Sequence, residues 1–145
     1  MSKFDFWQLS HDPVEKVVAL IARRVLGQGE RLLVVAADPA LRQGLSRALW
    51  QAGPESFLAN GEADAPGAAV QPILLSETCE PVNGASHLVL ADGTYREATG
   101  FARTFLLFDE AGAPAARKAW RAVEAIAGAE RALYRQEGGK WIKAA

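Results

Sequence analysis

The sequence predicts an open α/β domain built on a mainly parallel sheet with helices on its faces. Apolar, strand-like stretches alternate along the chain with amphipathic stretches that begin with helix-start residues. The apolar run at 31–37 lacks polar alternation, which indicates a strand buried on both faces. The 145 residues suffice for one hydrophobic core. We therefore expect a single α/β domain over residues 1–145 with a Rossmann-like order of strands and helices.

The chain opens with one strand and one helix. Aromatic residues with partial polar alternation predict a strand at 3–9. Asp12 is placed to cap the next helix, Pro13 suits its first position, and Glu15 stands where a capping box requires it. Together these signals predict a helix over 13–26.

A second strand and helix repeat this order. The strand at 31–37 leads into Asp38 and Pro39, which again predict a capped helix start, and the helix runs to Trp50. A helix that joins two parallel strands crosses over the sheet between them. We therefore expect the strands at 3–9 and 31–37 to be neighbours.

Two glycines, Gly27 and Gly29, precede the second strand. A dinucleotide-binding fingerprint follows a strand and opens a helix, so we interpret these glycines as a helix end and a turn. His11, Cys79 and His87 are too scattered to predict a metal site. We expect neither a cofactor nor a metal ion.

The second half of the chain begins with a long polar loop. Residues 53–67 are rich in glycine, proline and acids, and Phe57 is a lone aromatic residue among them. Apolar runs then predict strands at 70–75 and 87–90, and a last strand at 105–108.

A final helix is predicted from about Ala113 to Glu137. At about 100° per residue, four of its arginines fall within an arc of roughly 80° and form one stripe. Trp120 and Tyr134 lie beside the stripe, and apolar residues on the far side make a buried face. The stripe consists of Arg117, Arg121, Arg131 and Arg135. The buried face consists of Ala119, Ala122, Val123, Ile126 and Leu133.

Arginines beside aromatic rings suit an anionic partner with an apolar anchor. Guanidinium groups bind carboxylate or phosphate bidentately, while the rings bury the apolar part. A solvated basic face with Glu124 as an internal partner explains the same pattern equally well. Direct contact with nucleic acid is a third use of these arginines, and the acidic remainder of the chain disfavours it.

Charge and cysteine content narrow the class of protein. Residues 1–114 carry nine Lys/Arg against fourteen Asp/Glu, whereas residues 115–145 carry seven against three, for a net charge of −1. A single cysteine excludes an intrachain disulfide. Polar residues and Asp5 stand where a signal peptide would place its apolar run, and no stretch approaches the roughly 20 apolar residues of a membrane span. We therefore expect a cytoplasmic protein without membrane contact.

Short motifs occur in an order that resembles a known family. Phe6-Trp7-Gln8-Leu9 is followed by a helix-glycine-strand unit at 14–36, a helix that ends Ala48-Leu49-Trp50, and a loop with Ser56-Phe57-Leu58. Near the C-terminal end stands Arg131-x-x-Tyr134-Arg135. The chain is similar in these motifs and their order to the chi subunit of the bacterial DNA polymerase III holoenzyme.

The resemblance implies a non-catalytic adaptor. Such an adaptor ties the clamp loader, through the psi subunit, to single-stranded-DNA-binding protein, whose acidic C-terminal tail ends in phenylalanine. A guanidinium for the terminal carboxylate and an apolar slot for the ring would hold that tail. The residues expected to bind the tail are Arg117, Trp120, Arg121, Arg131, Tyr134 and Arg135, and those expected to contact the clamp-loader side are Trp50 and Phe57.

The alternative is a small α/β enzyme or binding protein for an anionic small molecule, with the arginine stripe as its clamp. The sequence contains no phosphate-binding loop, nucleophile elbow or metal-ligand cluster. The adaptor hypothesis is therefore preferred, with no catalysis expected and DNA contacted only indirectly.

Overall fold

The computed structural model describes residues 2–52, 58–137 and 139–145. Within these ranges the chain forms one sheet and three α-helices. The helices are α1 (Val14–Gly27), α2 (Pro39–Trp50) and α3 (Ala113–Glu124). The strands are β1 (Ser2–Gln8), β2 (Leu32–Val35), β3 (Asn60–Glu62), β4 (Ile73–Ser76), β5 (His87–Leu90), β6 (Arg103–Phe108), β7 (Ala129–Glu137) and β8 (Lys140–Lys143).

The described strands form a single sheet in the order β3-β4-β2-β5-β6-β1-β7-β8. All neighbouring pairs are parallel except β7 and β8, which are antiparallel. Because the sheet is open and mainly parallel and helices flank it, the predicted fold class is confirmed.

One predicted pairing is wrong, because β1 and β2 are not neighbours. β5 and β6 lie between them, so α1 crosses over two strand positions. β1 instead pairs with β6 on one side and with β7 on the other. β5 and β6 are almost entirely buried and fill the centre of the sheet. β5 and β6 come later in the sequence, so the segment from β1 to β2 does not indicate that these two strands will lie between them in the sheet.

Side chains alternate between the two faces of the sheet, and the helices are divided between those faces. Trp7 shares one core with the buried sides of α1 and α2. Phe4 and Phe6 share the other core with the buried side of α3. Beside α3 the strands β7 and β8 keep part of this face open, because Arg135 and Ile142 are exposed.

The two predicted helix caps have different outcomes. Asp38 accepts a hydrogen bond from the Ala40 N–H at 2.9 Å, so the predicted cap of α2 is confirmed. The predicted cap of α1 is wrong, since Pro13 occupies the cap position without a side-chain bond. Asp12 instead accepts a hydrogen bond from Gln136 Nε2 at 2.8 Å, which lowers the pKa of this carboxyl group. The loop after β1 is thereby tied to β7, and Asp12 contacts its own helix through an ion pair with Lys16 at 3.3 Å.

Three predicted boundaries in the second half are also corrected. The loop predicted at 53–67 contains the short strand β3, which pairs with β4. The strand predicted at 70–75 begins at Ile73, because residues Ala68–Val70 form a 3₁₀ turn. The strand predicted at 105–108 is β6, and two further strands follow it.

Among the described residues there is no membrane-spanning helix, no cluster of metal ligands and no paired cysteine. None of the described helices is long and apolar enough to span a membrane. No set of three or more His, Cys, Asp or Glu side chains among the described residues could hold a metal ion. Cys79 is free and half-buried, and burial raises the pKa of its thiol.

Candidate peptide-binding groove

The C-terminal region departs most from prediction. α3 ends at Glu124, and residues Ala129–Glu137 form the strand β7. Between the two elements Gly128 has a φ of 77°, a left-handed conformation that suits glycine and turns the chain toward the sheet. The helix predicted from Ala113 to Glu137 is therefore confirmed only as far as Glu124, and its second half and the continuous stripe of four arginines are wrong.

β7 forms a strand because β1 presents a free edge to it. The two strands pair in parallel from Ser2 opposite Ala129 to Gln8 opposite Arg135. Alanine, glutamate, leucine and arginine favour a helix in isolation. Pairing along the whole of β1, with burial of Ala132, outweighs that local preference.

The change from helix to strand places the predicted binding residues on two faces of the sheet. Arg131, Leu133 and Arg135 alternate along β7 and face α3. Tyr134 projects from the other face, where its ring centre lies 5.8 Å from that of Trp7. One peptide on one side of this element could not reach Arg131, Tyr134 and Arg135 together, as helical spacing had predicted.

Arg131 holds the end of α3 against β7. Its guanidinium donates a hydrogen bond to the Trp120 carbonyl oxygen at 2.7 Å and lies 4.3 Å from the centre of the Trp120 ring. It also lies 3.6 Å from a carboxylate oxygen of Glu124. A positive charge near the C-terminal end of a helix is favourable. Arg131 therefore fixes the position of Trp120.

We expect Arg131→Glu to lower the free energy of unfolding by about 1–2 kcal/mol, because the substitution removes one hydrogen bond and one cation–π contact. It also sets two carboxylates against each other at the end of α3. Urea denaturation followed by circular dichroism measures the change. Arg121→Glu is the matched control, since Arg121 is exposed on α3 and has no ion pair with any described residue. Equal stability of the two variants would contradict the structural role of Arg131.

A groove of about 490 Å³ lies between α3 and β7 on this face of the sheet. Its apolar surface comes from Phe6 and Phe108 in the sheet, Leu133 in β7 and Trp120 in α3. The rings of Phe6 and Trp120 meet edge to face with centres 5.2 Å apart. Arg131 also contacts the Trp120 ring, so Trp120 is held both by the sheet and by β7.

Two arginines line the same groove. Arg117 comes from α3, and Arg135 comes from the carboxyl end of β7. Both side chains are exposed, and neither makes an ion pair or a side-chain hydrogen bond with a residue that the structure describes. Such guanidinium groups can hold an anionic group while the apolar surface accommodates a ring or an alkyl chain.

Sequence reasoning missed the apolar surface of this groove. The sequence predicts Phe6 and Phe108 only as strand residues, and Leu133 only as part of a buried helix face. Alternation along β1 does place Phe6 on one face with Phe4. The missing information is that α3 covers only part of that face, which local sequence does not encode. Arg121, also predicted to bind, does not line the groove.

Comparison of the sequence with known protein families gives a match over most of the chain. The family model described as DNA polymerase III chi subunit, HolC, matches residues 1–129 of the chain. The chain belongs to the DNA polymerase III chi subunit family. The resemblance predicted from short motifs is therefore confirmed. The protein is an accessory subunit of DNA polymerase III and acts in DNA replication. No curated protein sequence gave a significant match.

The match to the chi family ends where β7 begins. Phe6, Phe108, Arg117 and Trp120, which form one side of the groove, lie within the matched residues. Arg135 lies beyond them. The groove therefore combines residues inside the matched range with Leu133 and Arg135, which lie beyond it.

The second surface expected from the chi resemblance involves Trp50 and Phe57. Trp50 is 60% exposed at the C-terminal end of α2, which is unusual for so large an apolar side chain. Phe57 lies outside the residues that the structure describes. Trp50 is therefore the one described residue of this predicted surface, and α2 packs on the face of the sheet opposite to the groove.

Proposed function

We propose that this chi-family protein is a non-catalytic adaptor that binds the acidic C-terminal tail of single-stranded-DNA-binding protein in the groove between α3 and β7. One observation carries the proposal: an apolar groove with two arginines that have no partner among the described residues. The adaptor links that tail to the clamp loader in the cytoplasm, through the psi subunit where one is present.

The groove supplies each interaction that such a tail needs. Its terminal phenylalanine bears both the ring and the free carboxylate, so an apolar surface and a cation must lie close together. Phe6, Leu133 and Trp120 provide the surface, while Arg117 and Arg135 provide the cations in the same cavity. Aspartates that precede the phenylalanine are attracted by the remaining positive charge of this region.

The revised binding set is smaller than the one expected from helical spacing. Arg117, Arg135 and Trp120 line the groove and are proposed to touch the tail. Arg131 is a positioning residue that acts through Trp120. Tyr134 packs on the opposite face, so we assign it no contact with the tail.

A second surface completes the adaptor. Exposed Trp50 is proposed to contact the clamp-loader side, together with Phe57 as the family resemblance implies. α2 packs on the face of the sheet away from the groove. An arrangement of this kind lets the two partners bind at once, which is what a linking subunit requires.

The test varies the peptide and keeps the protein unchanged. A fluorescently labelled acidic peptide ending in a free phenylalanine is titrated with the wild-type protein at low and high salt. The same peptide without phenylalanine, and the same peptide with an amidated C-terminus, are the matched probes. We expect a dissociation constant on the order of micromolar that rises with salt. Loss of one charge-assisted bond on amidation should weaken binding about tenfold to a hundredfold.

Two outcomes would overturn the proposal. Equal affinity for all three peptides would show that neither the ring nor the carboxylate is recognised. Tighter binding of a single-stranded oligonucleotide than of the peptide would assign the arginines to nucleic acid instead.

A further inference from the structure

β8 (Lys140–Lys143) lies at one edge of the described sheet. It is last in the strand order, and β7 is its one neighbour among the described strands. Trp141 anchors β8 to the core, since its ring centre lies 4.7 Å from that of Trp7. β8 is therefore an edge strand that is packed against the core and pairs with a described strand on one side only.

The register identifies which backbone groups of β8 are unpaired. In an antiparallel pair, alternate residues exchange hydrogen bonds with the partner strand, and the residues between them point their N–H and C=O groups away. The Ala144 N–H donates to the Leu133 carbonyl oxygen at 2.7 Å. Alternation then directs the groups of Ile142 toward β7 and those of Trp141 and Lys143 toward the open edge. β8 thus presents a ladder that another strand can join.

The side chains of β8 select the charge of such a strand. Lys140 and Lys143 are exposed at its two ends, and Ile142 between them is 45% exposed. Lysines on an edge oppose pairing with a second copy of the same edge, because like charges would lie near each other. The same lysines attract an acidic strand.

The distribution of charge along the chain also favours an acidic partner at β8. Residues 115–145 carry seven Lys/Arg against three Asp/Glu, while the rest of the chain has an excess of acids. The opposite edge of the described sheet, β3, is three residues long and ends at Glu62. β8 is therefore the edge whose length and charge suit an acidic partner.

We propose that β8 is a docking edge for an extended acidic segment of a protein partner, which joins the sheet as an additional strand. Backbone hydrogen bonds to Trp141 and Lys143 would hold the segment. Its acidic side chains would lie on the face of the sheet that carries Lys143, and its apolar side chains on the other face, against Ile142. The edge differs from the groove, which lies on the face of the sheet between α3 and β7.

The test uses a probe that cannot use the groove. An amidated peptide of about six residues, in which glutamate alternates with valine, has neither a terminal carboxylate nor an aromatic ring. Titration into the isotope-labelled full-length protein, followed by amide NMR spectra, reports where it binds. We expect the largest shifts at the amides of Trp141 and Lys143. Methylation of the backbone nitrogens at alternate residues keeps the charge of the peptide but removes the N–H donors along one of its edges. Two such peptides can be made, one for each edge. The peptide whose methylated edge faces β8 should bind at least about tenfold more weakly than the other.

Two protein variants separate backbone pairing from charge. Lys143→Pro removes the side-chain charge and also an outward N–H, without removing a bond to β7. Lys143→Gln removes only the charge, so the difference between the two variants reports the outward N–H. We expect the proline variant to bind at least about tenfold more weakly than the glutamine variant at the same salt concentration. Equal binding by both variants, or shifts confined to Arg117 and Trp120 around the groove, would overturn the edge proposal. Neither result would bear on the phenylalanine-ended peptide, whose binding is measured separately.

Discussion

A variant that carries both Arg117→Glu and Arg135→Glu is expected to bind the acidic, phenylalanine-ended peptide at least about a hundredfold more weakly than the wild type. Each substitution removes a charge-assisted bond worth about 1.5–3 kcal/mol, and two such losses exceed about 3 kcal/mol. Each also replaces attraction by repulsion, because the peptide is acidic. Fluorescence anisotropy with the labelled peptide measures the loss.

Folding should be unaffected by this double substitution. Both arginines are exposed and neither has an ion pair among the described residues, so each replacement should change stability by less than about 0.5 kcal/mol. The matched control is Arg121→Glu with Lys118→Glu, two exposed cations of α3 that do not line the groove. That control changes the net charge equally. If both double variants weaken binding to the same extent, attraction by the whole region, and not the groove, explains the affinity.

A second large effect is expected for Arg103→Met, which should lower the free energy of unfolding by about 3–5 kcal/mol. Asp5 in β1 is completely buried, and Arg103 in β6 donates to its Oδ2 atom. The other carboxylate oxygen, Oδ1, has no hydrogen-bond partner among the described residues. Removal of Arg103 would leave a buried charge without compensation. Urea denaturation measures the loss.

A double variant distinguishes this cause from simple loss of packing. Asp5→Val together with Arg103→Met removes both charges and places a β-branched residue in a buried strand. We expect the double variant to be more stable than Arg103→Met alone. Arg121→Met serves as the control, with a change below about 0.5 kcal/mol. If the double variant is no more stable than the single one, the cost lies in the contact between Arg103 and the Phe105 ring, 4.9 Å from the guanidinium carbon.

Prediction from sequence succeeded where local signals and tertiary structure agree. The uninterrupted apolar run of β2 indicated burial on both faces, and Asp38 with Pro39 indicated the start of α2. These features depend on residues that are close together in the chain. The order of short motifs was likewise sufficient to recognise the chi family.

Prediction failed where a distant strand decided the local conformation. Residues 129–137 have helical propensity, yet β1 offers them an edge, and the φ of 77° at Gly128 ends the helix before them. The cap at Asp12 failed for a similar reason, since Gln136 supplies its hydrogen-bond partner from β7. In both cases the competing partner is more than a hundred residues away in sequence.

The sequence by itself determined that the protein is a mainly parallel α/β domain with a basic C-terminal region, because composition, periodicity and capping residues are local properties. It also identified Arg117, Trp120 and Arg135 as candidates for binding an anion. The tertiary structure alone decided that these residues meet across a groove with Phe6, and that Tyr134 lies on the other face. The physical reason is the two-residue period of a strand: once β1 paired β7 into the sheet, alternate side chains were sent to opposite faces, which no helical spacing could anticipate.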